Sequence, residues 1–257
     1  MGSDYKIVLL CGEGQSSNIV YNFLHPNFGV HLAIKEEKEN YRVFLQRRIK
    51  RLGIVTVLGQ VAFQLLLAKP MTIFSRKRNN EIIANNYLDS TAIPGEMLRI
   101  VPSINSVKTI QLLSELNPDL IIINGTRIIS SKVLKSVSCT FINIHAGITP
   151  KYRGVHGAYW ALTQSDPANC GVTVHLVDAG IDTGNILYQQ TIIPAKNDNY
   201  ATYPLVQLAA GLPLLKKAID DCINKTVTVR EGTAESHLWY HPTIWSYLYN
   251  RIVKKVK

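Results

Sequence analysis

Short apolar runs alternate with helical patterns along much of this chain. Five runs have the length and composition of buried strands: residues 5–11, 29–35, 98–101, 119–124 and 140–145. Three segments between them read as helices: residues 18–24, 105–116 and 131–136. Apolar strands separated by helices are typical of a parallel sheet that is covered on both faces. The pattern therefore predicts an α/β fold with a Rossmann-like, mostly parallel sheet.

The alternation changes beyond residue 170. Two apolar runs, residues 171–177 and 185–193, follow each other across a short glycine-containing turn, which predicts an antiparallel hairpin. Residues 200–223 predict a long helix that Gly211 and Pro213 should bend or break.

A second departure lies at residues 36–94, where apolar positions from residue 43 to 66 recur mostly at helical spacing. The first half of this predicted helix is strongly basic, with Arg42, Arg47, Arg48, Lys50 and Arg51. A basic amphipathic helix can lie on a membrane or on an acidic partner. More often such a segment is a helical insertion that packs on its own domain with a solvated basic face, and we interpret it so.

These patterns suggest two parts. We expect a catalytic domain at residues 1–195 with a helical insertion at about 36–94, then a short C-terminal helical and aromatic extension at 196–257. The longest apolar stretch, residues 54–68, is interrupted by polar residues and falls short of the ~20 residues that cross a bilayer. We therefore predict no transmembrane segment, and no signal-peptide pattern is visible.

Composition narrows the class of protein. Hydrophobic residues make up 46% of the 257 residues, which is enough for a substantial core. The cysteines are widely spread and form no CxxC pair: Cys11, Cys139, Cys170 and Cys222. They predict reduced thiols in a cytoplasmic protein and no zinc site. The formal net charge of +10 fits a phosphorylated or nucleic-acid partner or an acidic membrane, but equally a basic enzyme without one.

The strongest chemical signal is an amide, an imidazole and a carboxylate at predicted strand ends. Asn143 and His145 stand two positions apart at the end of an apolar strand, so they share one face. Asp182 follows the next strand in a turn between two glycines. Together these groups suit acid–base work on a carbonyl.

Other polar positions are more ambiguous. Gly12-Glu13-Gly14 suggests a dinucleotide loop, but Ser17 stands where that motif needs glycine; the loop can hold an anion or simply be a tight turn. His156 lies in a loop and is a candidate substrate contact, whereas we assign His175 a cross-strand or surface role. No HxH or HExxH spacing indicates a metal, and no GxSxG elbow indicates a hydrolase.

Several motifs together resemble one family. NIHAGITPKYRG at residues 143–154, GVTVH at 171–175 and DAGIDTG at 178–184 resemble the N10-formyltetrahydrofolate-dependent formyltransferases. Within that family, the size of the chain and its short C-terminal part are most like those of the sugar N-formyltransferases. NGTRIIS at 124–130 is similar to their folate-pocket loop. The resemblance runs from about residue 105 to 194 and is fainter at the N-terminal end.

The resemblance implies a catalytic trio of Asn143, His145 and Asp182, a folate co-substrate and no metal. Asn143 and His145 would stabilise the formyl oxygen as it becomes negative, and Asp182 would orient His145 and help to take the amine proton. The implied cofactor-binding residues are Asn124, Gly125, Thr126, Arg127, Ile128, Ile129, Asp178, Ala179 and Gly180. The expected substrate-binding residues are Gly12, Glu13, Gly14, Tyr152, Arg153 and His156.

The acceptor is less constrained than the reaction. Ala146–Thr149 replaces the residues usual after the family's histidine, and the insertion has no counterpart in glycinamide ribonucleotide formyltransferase. Methionyl-tRNA formyltransferase carries a sizeable C-terminal barrel, whereas the pattern of the 63 residues after Pro194 predicts mostly helix and an aromatic tail. We therefore expect a nucleotide-linked amino sugar used for lipopolysaccharide O-antigen or another glycan, no nucleic-acid partner, and a homodimer through the insertion or tail. An inactive folate- or nucleotide-binding module is the alternative from another class.

Overall fold

The computed structural model describes residues 5–232 and 235–257. The strands of this part of the chain are β1 (Ile7–Cys11), β2 (Val30–Glu36), β3 (Leu98–Val101), β4 (Leu120–Asn124), β5 (Thr140–His145), β6 (Arg153–Gly154), β7 (Gly171–Leu176), β8 (Ile186–Thr191) and β9 (Leu238–Trp239). Its α-helices are α1 (Gln15–Phe28), α2 (Tyr41–Leu52), α3 (Ile54–Phe63), α4 (Lys69–Phe74), α5 (Arg76–Asn85), α6 (Val107–Leu116), α7 (Ser131–Leu134), α8 (Gly157–Thr163), α9 (Tyr203–Asn224) and α10 (Ile244–Ile252). A π-helical turn, Gln64–Ala68, joins α3 to α4.

A mostly parallel sheet organises the molecule, in the order β3-β2-β1-β4-β5-β7-β8. The first five strands of this order pair in parallel, whereas β7 is antiparallel to β5 and β8 is antiparallel to β7. Side chains alternate between the two faces of a strand. Leu9 and Ile122 accordingly pack in a core with α1 and α9, while Val8 and Ile121 pack on the opposite face with α6 and α7. The predicted Rossmann-like α/β fold is confirmed.

Helix α9 runs without a break through Gly211 and Pro213, where a bend or a break was predicted. Packing explains the glycine. A Cβ at residue 211 would come within 2.7 Å of both Ile144 Cδ1 and Val172 Cγ2. Glycine therefore lets the helix lie directly against β5 and β7. The boundary expected at residue 195 falls just before this core helix, and that division of the chain stays a prediction.

Within the insertion, the single helix predicted over residues 43–66 is divided between α2, α3 and the start of the π-helical turn. Helix α2 ends at Gly53, whose φ of 82° is left-handed, and the chain then restarts as α3. From there the helical path continues to Phe74, because the π-helical turn places Pro70 in the first turn of α4, where its missing N–H costs little. The run Ile54–Phe74 has 21 residues and is long and apolar enough to cross a membrane by length and composition. This run extends beyond the apolar stretch at residues 54–68, and the absence of a transmembrane segment stays a prediction.

An aromatic cluster joins the insertion and the C-terminal helix to the rest of the fold. Phe63 of α3 is fully buried, and its ring centre lies 4.9 Å from those of Tyr200 and Tyr247. Tyr159 of α8 stacks on Tyr247 at 5.9 Å. At the other end of the insertion, Arg78 forms an ion pair of 2.8 Å with the buried Asp198. Both ends of the insertion are thus anchored to the sheet domain.

Candidate active site

Strand β5 delivers two polar side chains to the carboxyl edge of the sheet. Asn143 and His145 are the fourth and sixth residues of this strand. In the antiparallel pairing with β7, Asn143 stands opposite His175 and His145 stands opposite Thr173. Two histidines and an amide therefore share a small region where the parallel part of the sheet meets the hairpin.

Asp182 reaches the same region from the turn between β7 and β8. Its φ of 50° is left-handed, a conformation that aspartate adopts more readily than most residues. One carboxylate oxygen, Oδ2, lies 3.3 Å from His145 Nδ1 and accepts a 3.0 Å hydrogen bond from the Gly154 N–H. The other, Oδ1, accepts from Asn143 Nδ2 at 3.3 Å. The structure thus brings the three predicted catalytic side chains together.

The Asp182 carboxyl is held in its charged form. Burial by itself would raise its pKa, but the neighbouring His145 and His175 and the hydrogen bond from the Gly154 N–H together hold the pKa well below its usual range. A carboxylate is therefore present at this position throughout the neutral pH range.

Backbone carbonyls select the protonated nitrogen on each histidine. His145 Nε2 lies 2.8 Å from the Tyr152 carbonyl, which can only accept, so Nε2 carries a proton and Nδ1 faces Asp182. His175 Nδ1 lies 2.6 Å from the Leu176 carbonyl, so that nitrogen carries the proton and Nε2 is left to accept from Asn143 Nδ2 at 3.1 Å. This second bond also fixes which end of the Asn143 amide faces the carboxylate.

His175 has the cross-strand position that the sequence predicted, but its place in the site was not predicted. Only 2% of it is exposed, and it orients Asn143 rather than facing solvent. The signal was present in the predicted hairpin, because pairing residues 171–177 with β5 brings a polar position of one strand against Asn143. Without the register, the two apolar neighbours of His175 suggested only an alternating strand.

A cavity of about 560 Å³ opens in front of these side chains. Most of the predicted cofactor-binding residues line it: Asn124, Gly125, Thr126, Arg127, Ile128, Ile129, Asp178 and Gly180. Ala179 is exposed and is not part of the wall. The volume is in the range of small-molecule sites, ~300–1,000 Å³.

A buried glutamate holds one wall of the cavity. Glu36, at the end of β2, is 6% exposed and accepts hydrogen bonds from the backbone N–H groups of Ile104 and Arg127. The Arg127 guanidinium lies 3.4 Å from the same carboxylate and also donates to the Glu37 carbonyl. This glutamate therefore shapes the loop after β4.

The structure gives the predicted substrate contacts other partners. Gly12 packs so closely on the Gly125 carbonyl that a Cβ would lie 2.1 Å from it, and Glu13 pairs with Lys38. Gly14 precedes α1 as its N-cap with a φ of 138°. None of the three is on the cavity wall. The glycine loop here serves as a tight strand–helix turn against a neighbouring loop.

The other three predicted contacts are structural in this arrangement. The Tyr152 side chain is 1% exposed, with its hydroxyl on Asp166 at 2.9 Å. Arg153 donates to the Ile181 carbonyl at 2.9 Å and so braces the turn that carries Asp182. His156 stacks on Tyr200 at 3.9 Å between ring centres, and burial lowers its pKa well below the usual value.

Arginines of the insertion reach the cavity, which the sequence did not predict. Arg48 and Arg51 of α2 line its wall together with Tyr240. Their guanidinium carbons lie 5.6 and 5.4 Å from the centre of the Tyr240 ring. Arg48 also donates to Gln60 Oε1 at 2.9 Å. Within residues 5–232 and 235–257, neither arginine forms an ion pair with a carboxylate, so this wall is positively charged.

The described residues contain no candidate metal site. There, no group of three or more histidine, cysteine, aspartate or glutamate side chains is placed to hold a metal ion. The four cysteines are all free, and burial raises the pKa of the Cys11 and Cys139 thiols to about 11.

Comparison with known proteins shows which family the sequence matches. The family model described as Formyl transferase matches residues 74–204, about half of the chain. A methionyl-tRNA formyltransferase from Thermodesulfovibrio yellowstonii is 33% identical over 127 residues, covering 49% of this chain and 41% of that protein. The bifunctional polymyxin resistance protein ArnA from Wigglesworthia glossinidia brevipalpis is 29% identical over 140 residues, covering 54% of this chain and 21% of that protein. The chain spans less than half the length of these curated relatives.

Solved structures show the same fold at low identity. A sugar N-formyltransferase from Shewanella sp. FDAARGOS_354 aligns with a TM-score of 0.56 and 18% identity, over 91% of this chain and 76% of that one. An N-formyltransferase from Helicobacter canadensis, solved with folinic acid and dTDP-3-aminofucose, aligns with a TM-score of 0.57 and 18% identity, over 90% of this chain and 70% of that one. Phosphoribosylglycinamide formyltransferase from Streptococcus pneumoniae TIGR4 aligns with a TM-score of 0.55 and 18% identity, over 85% of this chain and 99% of that one.

Proposed function

The chain belongs to the formyl transferase family, and on that premise we propose that it transfers the formyl group of N10-formyltetrahydrofolate to the primary amine of a nucleotide-linked amino sugar. The observation that carries the proposal is the convergence of Asn143, His145 and Asp182 at the wall of one cavity. An amide donor, an imidazole and a charged carboxylate in contact are the groups that transfer of an acyl group to an amine requires.

The cavity fits the folate donor. Apolar side chains of Ile123, Ile129 and Val177 stand beside the main chain of residues 125–127, so a flat heterocycle would find both apolar walls and backbone hydrogen-bonding groups. When bound, the donor supplies the electrophilic formyl carbon. The chain itself has to position that carbon, stabilise charge on its oxygen and accept a proton.

Asn143 is the proposed donor to the formyl oxygen. Its Nδ2 donates to His175 Nε2 at 3.1 Å and to Asp182 Oδ1 at 3.3 Å. The longer bond is the one that can be redirected towards substrate, while the bond to His175 keeps the amide in place. Such a preorganised donor stabilises negative charge better than water does, because it does not have to reorient.

His145 and Asp182 are the proposed route for the amine proton. Because His145 Nε2 is committed to the Tyr152 carbonyl, Nδ1 is the nitrogen that can take up a proton. A proton on Nδ1 would face Asp182 Oδ2, 3.3 Å away, as a charge-assisted pair. The carboxylate thus supports the imidazolium that forms as the amine attacks, and His145 can then return this proton to the nitrogen that the formyl group leaves.

The positive wall supports an anionic acceptor. Arg48 and Arg51 line the cavity with no carboxylate partner among the described residues, and guanidinium groups suit phosphate oxygens. The Helicobacter canadensis neighbour was solved with a nucleotide-linked amino sugar. Methionyl-tRNA is the second candidate acceptor, since many sequence relatives carry that enzyme's name. The four free cysteines support a reducing, cytoplasmic location, and a glycan such as O-antigen is the proposed destination of the product.

The test is a turnover assay with acceptors supplied one at a time. Purified protein is mixed with N10-formyltetrahydrofolate, and loss of the formyl group is followed by absorbance. We expect turnover with a nucleotide-linked amino sugar, and none with His145→Ala. Turnover only with charged initiator tRNA, or only with glycinamide ribonucleotide, would replace the acceptor. Folinic acid binding without turnover on any amine would favour the inactive binding module.

A further inference from the structure

The helical run Ile54–Phe74 leaves an apolar surface uncovered. We call this surface the apolar face; its members are each more than half exposed: Ile54, Val55, Leu58, Leu65, Leu66, Ile73 and Phe74. Leucine, isoleucine and phenylalanine in such a contiguous stretch are unusual on a surface in contact only with water. Only 28% of the most apolar 18 residues of this run is buried, so the domain covers one side of the helix alone.

The opposite side of the run is fixed to the protein. Val57 and Phe63 are buried, and the Gln60 side chain, 6% exposed, donates to the His241 carbonyl at 2.8 Å. Gly59 allows the Trp245 ring to pack where a Cβ would come within 2.2 Å of it. To cross a bilayer, the helix would have to give up these contacts and bury Gln60 in hydrocarbon. The packing therefore favours a helix that lies along a surface over one that spans.

Helix α10 extends the apolar face. Trp245 is 51% exposed although its ring touches Gly59, so it belongs to both helices' surfaces. Further along α10 and just beyond it, Tyr249, Ile252 and Val253 are 57%, 72% and 58% exposed. A tryptophan and a tyrosine at the edge of an apolar surface are typical of the lipid headgroup region.

The charge of these two segments identifies the occupant. Residues 41–80 contain nine lysines and arginines and no aspartate or glutamate, and residues 244–257 contain four lysines and arginines and no acidic residue. Within residues 41–80, Arg47 and Arg78 form ion pairs and Arg48 and Arg51 line the cavity. The charges left for this surface are on exposed side chains: Arg42, Lys50, Lys69, Arg76 and Lys77. A second copy of the chain would bring the same charge to the interface, on a protein whose net charge is +10. A surface of anionic phospholipid supplies both the apolar medium and the opposite charge.

We propose that the apolar face and α10 rest on an anionic phospholipid bilayer and hold this protein at the membrane as a peripheral enzyme. The inserted side chains would enter only the headgroup and upper acyl region, while the basic side chains contact lipid phosphates. The proposal does not depend on which amine is formylated, because it concerns a different surface from the cavity.

Vesicle sedimentation tests the proposal. The full chain is mixed with vesicles of phosphatidylcholine alone or of phosphatidylcholine with phosphatidylglycerol, at low and at high salt. We expect binding to the anionic vesicles and little to the neutral ones. The double variant Leu58→Glu/Leu66→Glu should lower the partition coefficient by about 100-fold, because two leucines no longer leave water. On binding, the fluorescence of exposed Trp245 should shift to the blue.

The control is Val107→Glu, which places one glutamate on a 70% exposed apolar position of α6, in the other layer of the fold; Leu58→Glu alone, with the same change in charge, is measured beside it. The Val107→Glu control should bind vesicles like the wild type, and folinic acid affinity should be equal in all of these proteins. Absence of binding to anionic vesicles at low salt would overturn the proposal, as would equal binding by the double variant. A dimer in sedimentation velocity that the double variant alone abolishes would assign the surface to a second copy instead.

Discussion

His145 and His175 stand side by side, yet the backbone holds opposite nitrogens of their rings. The Tyr152 carbonyl accepts a hydrogen bond from His145 Nε2, and the Leu176 carbonyl accepts one from His175 Nδ1. One ring therefore presents Nδ1 to the carboxylate, and the other presents a lone pair to the Asn143 amide. The difference gives the two histidines separate tasks, proton transfer for one and positioning for the other.

Replacement of His175 tests its positioning task. His175→Leu removes the acceptor that holds Asn143 Nδ2, so we expect kcat to fall by roughly tenfold or more while the KM for the formyl donor changes little. His175→Gln retains an acceptor oxygen and should recover part of the loss. Steady-state kinetics on both variants, with thermal unfolding as a check of folding, provides the measurement. If both variants lose thermal stability but retain the wild-type kcat, His175 has only a structural role.

Among single residues, the sequence predicted those whose chemistry is carried in the local pattern. Asn143 and His145 are two positions apart at a strand end and so share one face, and Asp182 lies in the turn after the next strand. His175, Arg48 and Arg51 were missed because their roles depend on register and on packing between distant segments.

At the scale of elements, helix α2 packs on α3 and supplies two guanidinium groups to the cavity. We expect Arg48→Gln/Arg51→Gln to raise the KM for a phosphate-bearing acceptor by about 10- to 100-fold, because two charge-assisted contacts are lost. Kinetics with varied acceptor would measure the change. Arg42→Gln, on the same helix but exposed and away from the cavity wall, is the matched control. A loss of folinic acid affinity with unchanged acceptor KM would instead assign these arginines to the donor.

The contact of α9 with the sheet also gives a testable expectation. Gly211→Val would drive a branched side chain into Ile144 and Val172, so we expect a loss of about 1–3 kcal/mol in the free energy of unfolding. Urea titration monitored by circular dichroism measures it. Gly95→Val is the comparison, because a Cβ at Gly95 meets nothing within 4 Å. Equal stability of the two variants would mean that α9 can move away from the sheet at little cost.

Most regular elements were predictable because their stabilising partners are close in the pattern. The parallel strands are continuous apolar runs, and such runs need no knowledge of the rest of the molecule. The break at Gly53 and the continuation past Pro70 were not predictable in the same way, since each depends on a local backbone geometry that several sequences could adopt. Helix α8 is short and almost wholly buried, so it lacks the polar face that identifies a helix.

At the scale of the whole molecule, buried histidines make the junction of insertion, core and C-terminal segment sensitive to acid. Burial, with the nearby Arg48 charge, lowers the pKa of His241 to about 4, and burial also lowers that of His156. In the unfolded chain both would titrate near 6.5, so the unfolded state binds more protons between pH 6.5 and 4. Their contribution to stability is complete above about pH 6.5 and is lost as the pH falls towards 4.

We therefore expect the free energy of unfolding to fall by roughly 3 kcal/mol through His241 as the pH decreases from 7 to 4, with His156 acting in the same direction. Urea titrations at several pH values measure the slope. His241→Gln should flatten the dependence, whereas His31→Gln, at an exposed position, should leave it unchanged. A wild-type slope that His241→Gln does not alter would show that other groups govern the acid response.

The contact between the insertion and the C-terminal segment could not be predicted from the sequence, because it joins residues that are far apart in the chain. Gln60 and His241 are hydrogen-bonded although 181 positions separate them. Periodicity describes one segment at a time, so it indicated an amphipathic helix and an aromatic tail without showing that each covers the other. The position of the charged cavity wall follows from the same long-range contact.

That contact has a consequence for how the protein is made. As the chain leaves the ribosome, the insertion emerges long before Tyr247 and Trp245, which complete the pocket around Phe63 and Gly59. Throughout that interval an apolar helix of 21 residues is exposed to chaperones, to targeting factors or to neighbouring nascent chains. Slow or interrupted translation of the last part should therefore cost this protein more soluble yield than it would cost a relative lacking the insertion.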